Sequence, residues 1–476
     1  MQMRIGGKEV DAGRKGWIPV HNPATGELID HVPDGMAEDV EQAVAAAESA
    51  FEAWAGKTPR ERGVVLLHAA NQVRSVYRET ARILTMEQGK PLKEAEDEIR
   101  GFANILEFYA SIAGTLHGQA VPLGNTGNLV VIREPLGVCG AIIPWNVPAI
   151  LMGWKCGPAL LSGNTLILKP SSTTPLTTLR LAALMEHAGL SPGVLNVVTG
   201  RGETAGLEIV KHPAIRKVSF TGSTVTGHQI REAAGTSLKE LTLELGGSDP
   251  MIVWRDAPIE KAVDGAIRGR FYNAGQTCTA VKRLYLHEEI ADHFLSLLTA
   301  RIQQLRVGNG LEPGVDMGPL HRMDQRVHTA SSVDWVREHK AGRILAGGDI
   351  LSGEGFDNGF YYAPTLIADP VPEAPLLHEE VFGPVLPVVR FGDLDSAIEA
   401  ANSTRYGLGA SVWTKDMDIV RAVFTRVRSG VCWVNRHLTL PPEVPFGGVK
   451  ESGVGRENGV DACLAYTRTR SLIIGW

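Results

Sequence analysis

The sequence predicts an α/β protein of two open-sheet domains with a projecting β arm, and three observations predict it. At 476 residues the chain exceeds the length at which one core stops growing, so two or three domains are expected. From 138 to 220 short β-branched runs alternate with helical stretches, the texture of parallel βαβ units around an open sheet. After 244 a second alternation begins and continues to 412, with Gly/Pro-rich inserts at 307–319 and 347–364.

The elements follow in chain order. Residues 17–33 read as a strand and turn, punctuated by His21-Asn22-Pro23-Ala24-Thr25-Gly26. Val40, Val44, Ala47 and Phe51 share one helical face, and further helices are expected over 60–87 and from 94 to about 113. Between 117 and 134 the texture turns to Gly, Asn and β-branched residues, so a hairpin arm is expected to leave the helical body there. Strands are expected at 138–143, 165–168, 194–198 and 217–220, with helices at about 149–161, 175–188 and 203–211 between them. The second set has strands at 250–253, 281–286, 385–390 and 409–412 and helices at 258–272 and 290–305. The tail, 466–476, alternates and ends apolar. As an exposed strand it would be an aggregation hazard, so it is expected to pair, with a partner subunit as the expected mate.

Composition narrows the function classes. Hydrophobic content of 44% and charged content of 21% are ordinary for a globular protein outside the membrane. A formal charge of -6 argues against nucleic acid or an anionic membrane as the main partner. The longest apolar run, 139–154, is interrupted by Pro144, Asn146 and Pro148 and is too short to span a bilayer. The polar, mixed-charge segment 1–16 does not read as a signal peptide, so a cytoplasmic location is expected. The five cysteines (139, 156, 278, 432, 463) contain no CxxC pair, so neither a metal site nor a disulfide framework is expected.

The chemistry concentrates between 244 and 278. Glu244 sits between Leu243 and Leu245 before two glycines, surroundings that raise a carboxyl pKa. Cys278 closes a polar loop, with Gly275 giving the backbone freedom to expose it. A thiol nucleophile with a carboxylate base is an acyl-transfer pair, although a cysteine taken alone is most often a small buried hydrophobe. Asn146, in the proline-stiffened loop Pro144-Trp145-Asn146-Val147-Pro148, either holds a turn together or donates its amide to a developing oxyanion. A dinucleotide site belongs at the carboxyl ends of parallel strands, near Phe220-Thr221-Gly222-Ser223 or Gly200-Arg201-Gly202-Glu203, neither of which is a GxGxxG fingerprint. His228 stands where a phosphate loop starting at Gly222 would need lysine, which disfavours nucleoside triphosphate hydrolysis. Lys169 closes a strand and either reaches a ribose or phosphate or is solvated.

Seven motifs then occur in one order: PWNVP at 144–148, LKPS at 168–171, FTGS at 220–223, ELGG at 244–247, GQTC at 275–278, EEVFGPV at 379–385 and PFGGVKESGVGRE at 445–457. Together they resemble the NAD(P)-dependent aldehyde dehydrogenase superfamily, in its non-acylating, hydrolytic branch, over essentially the whole chain. The resemblance implies a Rossmann-like cofactor domain (1–116 and 137–245), a catalytic α/β domain (246–458) and an oligomerisation arm (117–136 and 459–476), in a homodimer or homotetramer. It implies Cys278 as nucleophile, Glu244 as the base that activates water, Asn146 as oxyanion donor, and Lys155 and Glu457 as a proton relay. NAD or NADP would be lined by Ile142, Trp145, Lys169, Ser172, Gly202, Phe220, Thr221, Gly222, Ser223, Val225, Leu245, Glu380 and Phe382. Ser172 stands where many NAD-specific members carry a glutamate, so NADP is expected to be tolerated.

By the same resemblance, Trp154 and Tyr272 replace arginines that pair the substrate carboxylate in succinate-semialdehyde dehydrogenases. With Val147, Leu151, Thr277, Thr279, Leu438, Leu440 and Phe446, they imply an apolar tunnel suited to aromatic or medium aliphatic aldehydes. Arg436 and His437 would favour a small hydroxyaldehyde if they point inwards, and are surface residues if they point outwards, the orientation favoured here. The alternatives are a CoA-acylating enzyme, against which Glu244 argues, and an inactive structural protein of the same fold, against which the intact Cys278, Glu244 and Asn146 speak.

Overall fold

A computed structural model describes residues 1–14, 16–235 and 237–476. Five parallel strands form the heart of the first sheet, in the spatial order Glu240–Glu244, Ile215–Thr221, Val138–Ile142, Thr165–Lys169 and Leu195–Val197. The last five residues of Ile215–Thr221 and every residue of Val138–Ile142 and Thr165–Lys169 are buried, as expected of parallel strands covered on both faces. The chain runs outward from Val138–Ile142 in one direction and then restarts beside it with Ile215–Thr221. This reversal opens a crevice at the carboxyl ends of those two strands, where the loops 143–147 and 222–223 emerge. Met3–Ile5 and Lys8–Val10, which the sequence pattern did not reveal, extend the far edge antiparallel. Three-residue strands are too short to show a period.

The second sheet has the order Arg343–Ala346, Thr365–Ala368, Val385–Phe391, Val281–His287, Asp249–Val253, Gly409–Trp413 and Val431–Val434, parallel except for its first pair. Only four residues separate Glu244, the last residue of a strand in the first sheet, from Asp249, the first of a strand in the second. The carboxyl edge of one sheet therefore meets the amino edge of the other, and both Glu244 and the loop before Val281 lie at that junction. Gly453–Val454 returns across it and pairs antiparallel with Leu243 and Glu244.

The helix Pro148–Leu161 fills the space between the first sheet and Leu92–Ser111. It starts with proline, whose missing N–H costs nothing in a first turn, and thirteen of its fourteen residues are buried. The single helix expected over 60–87 is two, Pro59–Ser75 and Tyr77–Gln88, broken at Val76, whose φ is -127 and whose ψ is 21. Thr58 caps the first through a reciprocal pair with Glu61. Both pieces pack on Leu92–Ser111 and Leu176–His187, and one β-branched residue out of helical geometry leaves no mark on the periodicity. The helix expected over 203–211 begins as a wide turn, Gly202–Gly206, closed by the Gly206 N–H on the Arg201 carbonyl, and only Leu207–Lys211 is α-helical. Met323–Glu338, Leu394–Asn402 and Met417–Arg426 were not anticipated; the first is largely exposed and so shows little apolar stripe.

The hairpin Trp17–His21 with Leu28–Pro33 forms as expected. The arm is a three-stranded antiparallel sheet of Gln119–Pro122, Gly127–Pro135 and Thr467–Gly475. The tail thus finds a mate within its own chain, in unbroken register from Thr467 opposite Pro135 to Gly475 opposite Gly127. A partner subunit is not needed to satisfy that face of the strand. No helix among the described residues is long and apolar enough to cross a membrane.

Candidate active site

Glu244 is 2% exposed, and neither carboxylate oxygen has a hydrogen-bond partner among the described residues. Burial holds its pKa well above the ordinary carboxylate range; nearby Glu457 adds to this, and Lys155 and Arg456 oppose it. A Cβ at Gly447 would lie 2.7 Å from Glu244 Oε1, so only glycine leaves the carboxyl its room. An unpaired buried acid is costly unless protonated, and its place at a junction of sheets makes it a candidate for proton transfer.

Cys278 stands at the end of a strained loop. Asn273, Ala274 and Gly275 have φ of 52, 53 and 75, a left-handed run unusual for two non-glycine residues. Neighbours hold it there. Glu94 accepts the Asn273 N–H at 2.9 Å, Asn273 Nδ2 donates to the Asn146 carbonyl at 2.9 Å, and Gln276 Oε1 accepts from His321 N at 2.8 Å. Gly275 meets the expectation of backbone freedom, and a Cβ there would also lie 2.4 Å from the Gly383 carbonyl. Burial and the acids Glu244, Asp249 and Glu380 push the thiol up to about 12, against the opposing charge of Lys282. The resting thiol is therefore protonated.

The Asn146 amide donates one N–H to the Gln276 carbonyl at 3.0 Å, which leaves its second N–H for a ligand. Its backbone is fixed by Lys90, whose fully buried ammonium donates to the Asn146 carbonyl at 2.8 Å and pairs with Glu98 at 2.5 Å. Deeper still, Lys155 Nζ donates to Ser219 Oγ and Thr221 Oγ1, each at 2.9 Å, and pairs with Glu457. This buried chain approaches Glu244 from behind.

Two cavities adjoin at Cys278. One, of about 210 Å³, is lined by Val147, Leu151, Trp154, Tyr272, Thr277, Thr279, Leu438, Leu440 and Phe446, with Asp97, Glu98 and Arg268 among its other residues. The other, of about 300 Å³, gathers Trp145, Thr221, Gly222, Ser223, Leu245, Glu380 and Phe382. Cys278, Asn146 and Leu151 line both. Trp154 packs against Phe446 with ring centroids 5.0 Å apart, closing the first cavity with aromatic surface.

His437 requires a correction. It is buried, not on the surface, yet it does not line the tunnel: Nε2 lies 2.8 Å from the Thr279 carbonyl and Nδ1 3.0 Å from Ser411 Oγ. Burial lowers its pKa to about 4, so it is a neutral support behind the wall. Arg436 is exposed and outside the lining, as the outward orientation expected.

The second cavity fits a dinucleotide. It lies at the crevice that the strand reversal opens, beside the first turn of Thr224–Ala234, whose N–H groups attract phosphate; Ser223 caps that helix by accepting from Thr226 N at 3.2 Å. Trp145 stacks on His321 at 4.6 Å and meets Phe382 edge-on at 5.6 Å, giving flat apolar walls. Beyond the cavity, Lys169 is buried with one partner, the Pro170 carbonyl at 2.9 Å, which leaves donors for a ribose; burial lowers its pKa to about 8. It packs along Gly206, next to Gly202, where a Cβ would meet nothing within 4 Å. Ser172 is half-buried and Val225 is 65% exposed. Ile142 and Phe220 sit in the core beneath the cleft, outside the cavity lining. Lys90, Glu94, Glu98, Gln276, Lys282 and His321 were not singled out from sequence. Lys282, four residues after Cys278, carried a weak signal as a lysine in a run that reads as a buried strand.

The family model described as "Aldehyde dehydrogenase family" matches residues 10–472. A phenylacetaldehyde dehydrogenase from Pseudomonas fluorescens is 42% identical over 489 aligned positions, covering 100% of this chain and 96% of that protein. The crystal structure of PnpE from Pseudomonas sp. WBC-3, also solved in complex with nicotinamide adenine dinucleotide, is similar with a TM-score of 0.97 at 40% identity, over 99% of this chain and 97% of that one. An NADP-dependent enzyme of E. coli gives a TM-score of 0.97 at 38% identity, over 100% and 98%.

Proposed function

We propose, from the premise that the chain belongs to the aldehyde dehydrogenase family and is an oxidoreductase acting on aldehydes, that it converts an apolar, aromatic or medium aliphatic aldehyde to its carboxylic acid. The observation that carries this reading is the pair of cavities adjoining at Cys278, one walled by Trp154, Phe446, Leu438 and Leu440, the other fitted to a dinucleotide. The phenylacetaldehyde dehydrogenase relative supports an aromatic substrate. The arm sheet is proposed as the oligomerisation element, and the cofactor and catalytic domains as the two sheets with their covering helices.

Cys278 Sγ attacks the aldehyde carbon, its proton leaving to solvent, and the new oxyanion is received by the free N–H of Asn146 and the Cys278 backbone amide. NAD or NADP, when bound, supplies the hydride acceptor. Trp145 and Phe382 would wall the nicotinamide, Glu380 and Lys169 would take ribose hydroxyls, and the Ser223-capped helix start would face the pyrophosphate. Cys278 is left as a thioester. Glu244 then takes a proton from water, the resulting hydroxide adds to the thioester, and collapse releases the acid and restores the thiol. Lys155 and Glu457 would carry the proton away from Glu244 through the buried chain. Half-exposed Ser172 brings no negative charge near the ribose, so either cofactor is accommodated.

Initial rates with NAD and with NADP, against benzaldehyde-type, medium aliphatic, lactaldehyde, glyceraldehyde and succinate semialdehyde substrates without CoA, test the reading. Highest kcat/KM on the apolar members is expected. A preference for the hydroxyaldehydes or the semialdehyde would overturn the apolar-tunnel assignment, and a requirement for CoA would overturn hydrolysis.

A further inference from the structure

We propose that Lys282 is a positioning residue for the nucleophile, its ammonium clamping the Thr277 and Cys278 carbonyls while its contact with Glu380 links the cofactor cleft to the Cys278 thiol. The proposal rests on Cys278 being the nucleophile and Glu380 facing the cofactor.

The geometry is specific. Lys282 Nζ lies 3.0 Å from the Thr277 carbonyl, 2.7 Å from the Cys278 carbonyl and 3.0 Å from Glu380 Oε1, with its side chain 2% exposed. An ammonium has three donors, and these three acceptors use them all. The Phe382 ring, 5.6 Å away, forms a further side of the site. Glu380 Oε1 also accepts from Gly247 N at 3.2 Å, and a Cβ on Gly246 would stand 2.3 Å from Oε2, so the carboxylate is held between the ELGG turn and the lysine. Lys282 thus touches the loop that presents the thiol and the acid that lines the cleft.

The charges facing the thiol give this contact a consequence. Glu244, Asp249 and Glu380 each disfavour the thiolate, and Lys282 favours it. Part of the lysine's charge is offset by Glu380. A ribose hydroxyl engaging Glu380 would loosen that pair and leave the ammonium more fully to the Cys278 loop. Occupancy of the cleft would then raise the reactivity of the thiol before any aldehyde arrives. A lysine acting only as a brace for two carbonyls would fix the loop without this dependence.

Alkylation by iodoacetamide, in which a sulfur–carbon bond forms as iodide leaves, reads the thiolate directly. It is followed at Cys278 by peptide mass across pH, in the full-length protein without substrate. Lys282→Met is expected to move the profile to higher pH and slow alkylation about tenfold below its midpoint, one pKa unit's worth of thiolate. Lys282→Arg keeps a profile near the parent's. Glu380→Gln shifts in the opposite sense, with faster alkylation. Adding NAD accelerates alkylation of the parent and leaves Lys282→Met unmoved. A Lys282→Met profile matching the parent's, or slower alkylation in Glu380→Gln, overturns the proposal. If Lys282→Met fails to fold, the sign of the Glu380→Gln shift decides. Should Cys278→Ala retain turnover, the nucleophile reading falls instead, and the alkylation profile still reports what Lys282 does to the thiol.

Discussion

Glu244 and Cys278 face opposite demands at rest, and their environments state them. Burial disfavours the charged form of each, and in the proposed mechanism each must give up a proton to act. As a base, Glu244 works only when ionised. The hydrolytic step should therefore gain rate as pH rises through its elevated pKa, and kcat should fall on the acid side. Replacing Glu244 by Gln should remove that rise. It should also slow steady-state turnover by about 10²–10⁴-fold while sparing the first burst of reduced cofactor, a pattern that stopped-flow absorbance resolves. Cys278→Ala should abolish oxidation and leave cofactor affinity, measured by calorimetry, within about twofold of the parent. Glu244, Cys278 and Asn146 were candidates from sequence because each lies in a short motif of distinctive neighbours. Lys90 and Lys282 were not, because both lie outside the motifs and a lysine in sequence reads as solvated until its acceptors are seen. His437 was misplaced for the same reason: its two partners, Thr279 and Ser411, come from a distant turn and a distant strand.

At the scale of elements, the strand Glu240–Glu244 presents Glu244, the proposed base, and its edge is closed by Gly453–Val454. Gly453 has a φ of 149, and a Cβ there would stand 2.2 Å from the Leu243 carbonyl. Gly453→Ala should cost about 1–3 kcal/mol through backbone strain and the lost pairing, seen as a lower Tm, and should slow hydrolysis more than the first turnover. The alternating strands and helices were readable from their periods, and the two sheets formed where the alternation was expected. The edge strands and the break at Val76 were not readable, since a three-residue strand or a single non-helical residue carries no periodic signal.

For the whole molecule, the arm is the open question of assembly. Thr467–Gly475 is the edge strand of its sheet, and Leu472, Ile473, Ile474 and Trp476 expose 58%, 72%, 38% and 79% of their surface. An apolar edge of this kind invites a further strand. Ile473→Asp should lower the molar mass found by light scattering, consistent with a dimer or tetramer losing contacts, with little change in the Tm of the remaining unit. An unchanged mass would remove the arm from the assembly.

The sequence by itself determined the fold class and the family and nominated Cys278, Glu244 and Asn146 as candidates, because these are carried by local periods and by motifs a few residues long. Only the tertiary structure decided which groups surround them. The carboxyl edge of one sheet abuts the amino edge of the other, and that junction brings Glu457 to Lys155, Lys90 to Asn146 and Lys282 to Glu380. These partners lie 302, 56 and 98 residues apart, by subtraction of their numbers. Charge and burial act through space, so the protonation states of the site are fixed by neighbours that no local pattern in the chain announces.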